Sequence, residues 1–126
     1  MIRNNFSKKR EAIYQSVCST KNHPCAEWVY NDLKEKYPKL SLGTVYRNLS
    51  LFKEQGLIQS VGTVQGQERF DATVQPHPHF ICNSCGKVVD LDMQYNEVFN
   101  KAIEKSYNYK VDHHLIFFYG LCDECK

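Results

Sequence analysis

Cys82-Asn83-Ser84-Cys85 and Cys122-Asp123-Glu124-Cys125 are two C-x-x-C pairs separated by 36 residues. Two tight turns that each deliver two thiolates satisfy a tetrahedral Zn²⁺ and leave no coordination position open, which is the chemistry of a structural site. Gly86 follows the first pair and Gly120 precedes the second, where the backbone has to turn. The rival chemistry is a pair of redox dithiols of the thioredoxin kind, but two of them in one small chain are better explained by zinc. Cys18 and Cys25 stand outside the pattern and read as small buried apolar residues.

A second group offers harder donors: His23, Asp71, His77, His79 and Asp90, together with His113 and His114. In an extended His77-Pro78-His79 both imidazoles point to one side, and two histidines with carboxylates suit Fe²⁺ or Mn²⁺ better than an all-sulfur set does. Any one of these histidines alone reads as an ordinary core or surface residue. Their distribution argues otherwise. His23 and Asp71 bracket the first half of the chain, while His77, His79 and Asp90 lie beyond the Pro76 and Pro78 breaks, so one ion would lock the two halves together as a conformational switch.

The elements that must position these residues fall into two groups. The best boundary is Ala72-Thr73-Val74-Gln75-Pro76, which gives a first domain over 1–73 and a second over 74–126. Residues 1–60 hold ten Lys/Arg against five Asp/Glu, and residues 61–126 six against nine. A basic half suits a phosphate backbone and an acidic half suits cations, although charge alone is equally compatible with ordinary solvated faces. The 126 residues, 42% of them hydrophobic, exclude a large enzyme. The longest apolar runs fall far short of the roughly 20 residues of a membrane span, and Met1-Ile2-Arg3-Asn4-Asn5 is no apolar signal stretch, so a soluble cytoplasmic protein is expected.

Ala12, Ile13 and Val17 predict a helix from Ser7, a candidate cap, to Cys18. A second helix is expected from about Pro24, with Val29, Tyr30 and Leu33 as its buried stripe, ending before Pro38. A third begins after Ser41, carries Val45, Leu49 and Phe52 inward, and stops at Gln55-Gly56. Leu57–Val61 and Gln67–Asp71 read as a hairpin. Helix, helix, turn, helix, hairpin is the layout of a winged helix-turn-helix, whose last helix enters the major groove. With Val45, Leu49 and Phe52 buried, Thr44, Tyr46, Arg47, Asn48 and Ser50 are expected to be free for bases or phosphates, with Lys9 and Arg10 adding charge from the first helix. The competing reading is a solvated helix face on a small bundle.

Between the cysteine pairs, Lys87–Leu91 reads as a strand, Tyr95–Tyr107 as a helix with Val98, Phe99, Ala102 and Ile103 inward, and Tyr109–Tyr119 as one or two strands. The fold class expected is therefore α+β: a winged helix followed by a small α/β domain with a four-cysteine zinc site. A module this small often completes its core by pairing with a second copy, and a dimer would also read two half-sites on DNA.

Asn22-His23-Pro24, Leu42-Gly43-Thr44-Val45-Tyr46-Arg47-Asn48-Leu49, Glu68-Arg69-Phe70-Asp71, His77-Pro78-His79-Phe80-Ile81-Cys82 and Tyr119-Gly120-Leu121-Cys122 resemble, in order and spacing, the ferric uptake regulator family, and within it the peroxide-responsive repressors. The resemblance implies a homodimeric, metal-dependent repressor that binds a pseudo-palindromic operator on double-stranded DNA. It implies structural Zn²⁺ on Cys82, Cys85, Cys122 and Cys125, and regulatory Fe²⁺ or Mn²⁺ on His23, Asp71, His77, His79 and Asp90. Iron-sensing members usually carry glutamate where Asp71 stands, and a His-His-Asp-His run whose first and third members are here Pro76 and Pro78. The replacements weaken an additional metal site of which Glu97 and His114 resemble the remaining positions. In the peroxide branch, the resemblance implies that Fe²⁺ reacts with H₂O₂ and a ligand histidine, His23 or His77, is oxidised, releasing metal and DNA. An iron- or zinc-responsive uptake regulator of the same family is the alternative.

Overall fold

A computed structural model describes residues 8–126 and divides the chain into two compact units, the first running to Val74 and the second spanning Gln75–Lys126. Ser7, the expected cap of the first helix, lies outside the described residues.

The first unit is three helices and a hairpin: α1 (Lys8–Cys18), α2 (Ala26–Leu33), α3 (Leu42–Glu54), β1 (Gln59–Val64) and β2 (Gln67–Asp71). Ile13 and Val17 of α1, Val29 and Leu33 of α2, and Val45, Leu49 and Phe52 of α3 close on one another, with Ile58 and Phe70 sealing the hairpin onto the same core. Tyr14 packs edge-on against Phe52, ring centroids 5.6 Å apart. Helix α2 starts later than its sequence suggests. Cys25 is its N-cap in extended conformation, and Pro24 belongs to the preceding loop. Ser41 caps α3, its hydroxyl accepting the Thr44 backbone N–H at 3.1 Å. The strands pair antiparallel, with a bulge between Ser60 and Gly62, and β1 runs further than expected. The connection is thereby shortened to Gln65-Gly66, both at positive φ (53° and 82°), the pattern of a tight hairpin turn whose twist matches its strands.

The second unit is built on β3 (His79–Cys82), β4 (Val88–Asp90), α4 (Val98–Tyr107) and β5 (Phe117–Gly120). The sheet order is β4-β3-β5, with β3 antiparallel to β4 and parallel to β5. Two expectations fail here. Val98, Phe99, Ala102 and Ile103 do not face inward: Val98 is 62% exposed, Phe99 58% and Ile103 43%, and Asn100 is the only buried residue of α4. Within one copy the sheet does not cover the helix, and it leaves Val89, Phe118 and Tyr119 of its own strands exposed as well. The stretch before β5 is likewise irregular rather than strand, because its backbone donors go to side chains: Val111 N–H to Glu104 Oε2 (2.9 Å) and His114 N–H to the Tyr95 hydroxyl (3.0 Å).

Candidate metal centre

The parallel pairing of β3 and β5 explains how cysteines so far apart in sequence meet. Cys82 ends β3 opposite Gly120, the last residue of β5, so both knuckles leave the sheet at the same end. One ligand atom from each of Cys82, Cys85, Cys122 and Cys125 lies within 4.8 Å of every other, and Cys85 Sγ is 3.9 Å from Cys122 Sγ. Four sulfurs about 2.3 Å from a tetrahedral zinc have edges of about 3.8 Å, so the donor set and its spacing fit that ion. Cys82 is fully buried, and its sulfur accepts the backbone N–H groups of Cys85 and Cys122, each at 3.4 Å. Those two donors are the main reason its thiol falls to about 6. Cys125 runs the other way: Ser84 lowers it, but the neighbouring Cys122 and Cys82 sulfurs push it up to about 11. All four are free thiols, and they converge on one point instead of forming two separate pairs, which favours one shared ion over two independent dithiols. Cys18 is exposed and Cys25 half-buried, contrary to the core placement expected of them.

Each unit also presents nitrogen and oxygen donors. In the first, His23 and Asp71 are both buried, with His23 Nε2 3.3 Å from Asp71 Oδ2. Asp71 Oδ1 accepts the Thr73 N–H at 2.8 Å, which orients the carboxylate. His23 sits at φ 58°, and Arg69, two residues before Asp71, donates to the carbonyls of Asn22 (2.6 Å) and His23. Burial lowers the pKa of that guanidinium, the Cys25 thiol opposing, and it stays a cation.

In the second unit, strand register places Asp90 opposite His79. Asp90 Oδ1 is 3.3 Å from His79 Nε2 and 2.9 Å from His77 Nε2. His79 is buried and stacks on Phe117, its register partner on β5, at 5.5 Å. His77 Nδ1 is 2.7 Å from the Gln75 carbonyl oxygen. A carbonyl only accepts, so Nδ1 carries a proton, and Nε2 is the ring nitrogen turned toward the Asp90 carboxylate. A histidine held at one ring nitrogen by a backbone carbonyl, with the other nitrogen beside a carboxylate, is the usual arrangement of a metal-ligating imidazole. Two donors about 2.1 Å from one ion, at roughly 90–110° to each other, lie about 3.0–3.4 Å apart, close to the spacing in both units.

Glu97 and His114 join no group of three or more potential ligands among the described residues. His114 is instead engaged through Nδ1 with Asn100 Oδ1 at 2.6 Å and stacks on Tyr95, while its Nε2 is buried without a hydrogen-bond partner. Glu97 is the exposed residue before α4.

On α3, Tyr46, Arg47 and Ser50 are exposed and Thr44 half-exposed, as expected. Arg47 Nη2 donates to the Thr44 hydroxyl at 3.0 Å, drawing the guanidinium over the helix N-terminus. Asn48 is a correction. It is buried and spent, its Nδ2 donating to the Thr44 carbonyl (2.8 Å) and its Oδ1 accepting from Arg10 Nε (2.8 Å). The periodicity contains this result: Val45, Asn48, Leu49 and Phe52 stand at i, i+3, i+4 and i+7, the inward face of one helix, and all four are buried. Lys9 and Arg10 are half-buried on α1.

A winged helix followed by an α/β unit that carries convergent metal-ligand sets is the architecture of a winged-helix metalloregulator. The ferric uptake regulator family model matches residues 4–119, and the chain belongs to that family. The chain is 34% identical over 121 residues to the peroxide-responsive repressor PerR of Staphylococcus epidermidis, spanning 96% of this chain and 81% of the relative. It is 35% identical over 121 residues to the peroxide operon regulator of Bacillus subtilis, spanning 96% and 83%. The solved structure of the Helicobacter pylori ferric uptake regulator, described as having three functional metal binding sites, is similar with a TM-score of 0.80 at 26% identity, covering 98% of this chain and 82% of that one. Among the described residues, no helix is long and apolar enough to cross a membrane.

Proposed function

We propose that this protein is a homodimeric, metal-dependent transcriptional repressor of the cytoplasm that binds a pseudo-palindromic DNA operator and releases it on exposure to peroxide. Cys82, Cys85, Cys122 and Cys125 hold a structural Zn²⁺. His23 and Asp71 from the first unit and His77, His79 and Asp90 from the second hold one Fe²⁺ or Mn²⁺, so that the metal-loaded form is the one that binds DNA. When bound, Fe²⁺ supplies the reductive cleavage of the peroxide O–O bond. In the net change, one imidazole, of His23 or His77, gains one oxygen atom and the peroxide leaves as water. An oxidised ring is a poorer donor, the ion is lost, and the two units no longer share a ligand set.

Two relatives named for peroxide response, matched over 96% of the chain, are the observation that carries the peroxide reading. Asp71, at a position where iron-sensing members usually have glutamate, agrees with it. DNA contact is assigned to Thr44, Tyr46 and Arg47 on α3, with Lys9 and Arg10 supplying phosphate charge. Asn48 is reassigned from base reading to holding Arg10. The exposed stripe of α4 and the open edge of β5 support self-association through the second unit. Support for the second reading, an iron- or zinc-responsive uptake regulator, comes from the similarity to the Helicobacter pylori protein.

DNA binding by the zinc-loaded protein, supplied anaerobically with Fe²⁺ or with Mn²⁺ before and after low H₂O₂, separates the two. Loss of binding only in the iron form, with one oxygen added to the His23 or His77 peptide by mass spectrometry, is the expected outcome. Metal-dependent binding that survives peroxide in both forms would make this a sensor of metal availability.

A further inference from the structure

The loop that carries His23 is held from the strand that carries Asp71. Arg69 of β2 donates from Nε to the His23 carbonyl and from Nη2 to the Asn22 carbonyl at 2.6 Å. The next residue, Phe70, donates its backbone N–H to the Pro24 carbonyl at 3.0 Å. Two consecutive strand residues therefore take three consecutive loop carbonyls, and the residue after them is Asp71.

The hold has something to resist. His23 is at φ 58°, a sparsely populated region that a residue bearing a β-carbon enters only where its surroundings impose it. Pro24 follows it, and a residue before proline is drawn toward extended backbone. Left to itself the loop would rotate the His23 peptide units and carry the imidazole away from the carboxylate it now faces at 3.3 Å. A guanidinium suits the opposing task. It is a rigid, always charged fork of donors that meets two acceptors at once, and charge-assisted bonds of this kind are the strong ones.

We infer that Arg69 is a positioning residue for the metal half-site of His23 and Asp71: it fixes the loop in the conformation that presents His23 Nε2 beside the Asp71 carboxylate. The inference rests on the reading of His23 as a metal ligand. Arg69-Phe70-Asp71 is then one device along a single strand, in which the first residue holds the loop, the second buries its ring in the core and the third supplies a ligand.

The test uses the full, zinc-loaded chain and Mn²⁺ as the probe. Arg69→Met is expected to weaken Mn²⁺ binding, measured by isothermal titration calorimetry, about ten- to hundred-fold, the range seen when an outer support of a metal ligand is removed. Arg69→Lys, a point donor in place of a fork, is expected to fall between Met and the parent. In metal-free protein, hydrogen exchange of the Phe70 amide is expected to quicken in Arg69→Met while the α3 amides are unchanged. The decisive measurement is the pair of variants in a His23→Gly background, where neither the imidazole nor its strained backbone remains: there Arg69→Met should have no further effect on Mn²⁺ affinity. An Arg69→Met protein that binds Mn²⁺ within twofold of the parent would overturn the inference. So would a loss of equal size with and without the His23 imidazole, because Arg69 would then act elsewhere. If His23→Gly alone leaves Mn²⁺ affinity untouched, the ligand assignment itself fails and the inference falls with it.

Discussion

Replacing Cys82 by serine tests how much of the second unit stands on its zinc. Apart from the ligands Cys82 and Cys122 and from Pro78, its buried apolar side chains are Ile81 and Val88. Full burial of two such side chains contributes roughly 3–6 kcal/mol, whereas a structural zinc contributes about 10–16 kcal/mol to the folding of small zinc domains. The metal therefore outweighs the apolar core. Cys82 is the ligand on which it should depend most, because Cys82 is fully buried at the end of β3 and collects two backbone N–H groups, one from each knuckle. A serine hydroxyl in that place can still accept an N–H, but it stays protonated and is no thiolate ligand for zinc. Cys82→Ser is expected to lose stoichiometric zinc, to lose the dispersed NMR signals of residues 75–126 and to run as a monomer or aggregate in equilibrium sedimentation. Cys18→Ser, at an exposed cysteine outside both ligand sets, should change none of these. A Cys82→Ser protein shown by elemental analysis to be zinc-free, yet dimeric and cooperatively folded over residues 75–126, would refute the reasoning.

Other expectations follow from single contacts. Asn48→Ala removes two partly buried hydrogen bonds, one of them to the Arg10 guanidinium; a loss of about 2 kcal/mol is expected in urea unfolding, and a change below about 0.5 kcal/mol, the level of an ordinary surface substitution, would count against the role. The same variant should weaken DNA binding by a similar factor on every single-base variant of an operator, since Asn48 faces the protein rather than a base; lost discrimination at one base pair would restore it as a reader. Asp71→Glu should keep metal-dependent DNA binding and blunt the peroxide response, and unchanged peroxide sensitivity would remove the branch argument. Phe99→Glu with Ile103→Lys puts charge on an α4 face already exposed in the single chain, so monomer stability should hold while self-association weakens by more than tenfold; an unaltered sedimentation profile would place the interface elsewhere.

Much of the architecture follows from local periodicity, and the exceptions have identifiable physical causes. The apolar spacing of Ile13 and Val17, Val29 and Leu33, and Val45, Leu49 and Phe52 is the spacing of the residues found in the first core, and the cysteine pairs declare their convergence by type and number alone. Asn48 reads as exposed only when its polarity is weighed above its place at i+3 from Val45. The α4 stripe departs from expectation for the opposite reason: its period is that of an amphipathic helix, but one copy of the second unit holds nothing to cover it. Arg69 stands in one of the stretches that carry the family resemblance, but nothing around it in sequence shows what it holds. Its partners are carbonyls some 47 residues away in sequence, and backbone acceptors leave no mark in residue identity.

The two ligand sets also divide the labour that peroxide sensing would require. Thiolates are the more readily oxidised side chains in general, and with Cys85 exposed the resistance of the sulfur set rests on the zinc it would hold. Cys82 is buried and its sulfur already accepts two N–H groups, and a four-coordinate zinc leaves no position at which peroxide could bind and has no redox chemistry of its own. The nitrogen and oxygen donors are graded differently: His23 and His79 are almost fully buried, whereas His77 is 18% exposed, with Nδ1 on the Gln75 carbonyl and Nε2 beside Asp90. If access of peroxide decides which ring is oxidised, His77 takes the larger share; if constraint near the ion decides, His23 does, because Arg69 and the Phe70 N–H hold its loop by three carbonyls. Peptide mass spectrometry of the iron form after a substoichiometric dose of H₂O₂ measures that ratio directly. On the positioning argument, Arg69→Met should shift the oxygen toward His77, and a ratio that does not move would show that the hold on His23 has no part in choosing the target.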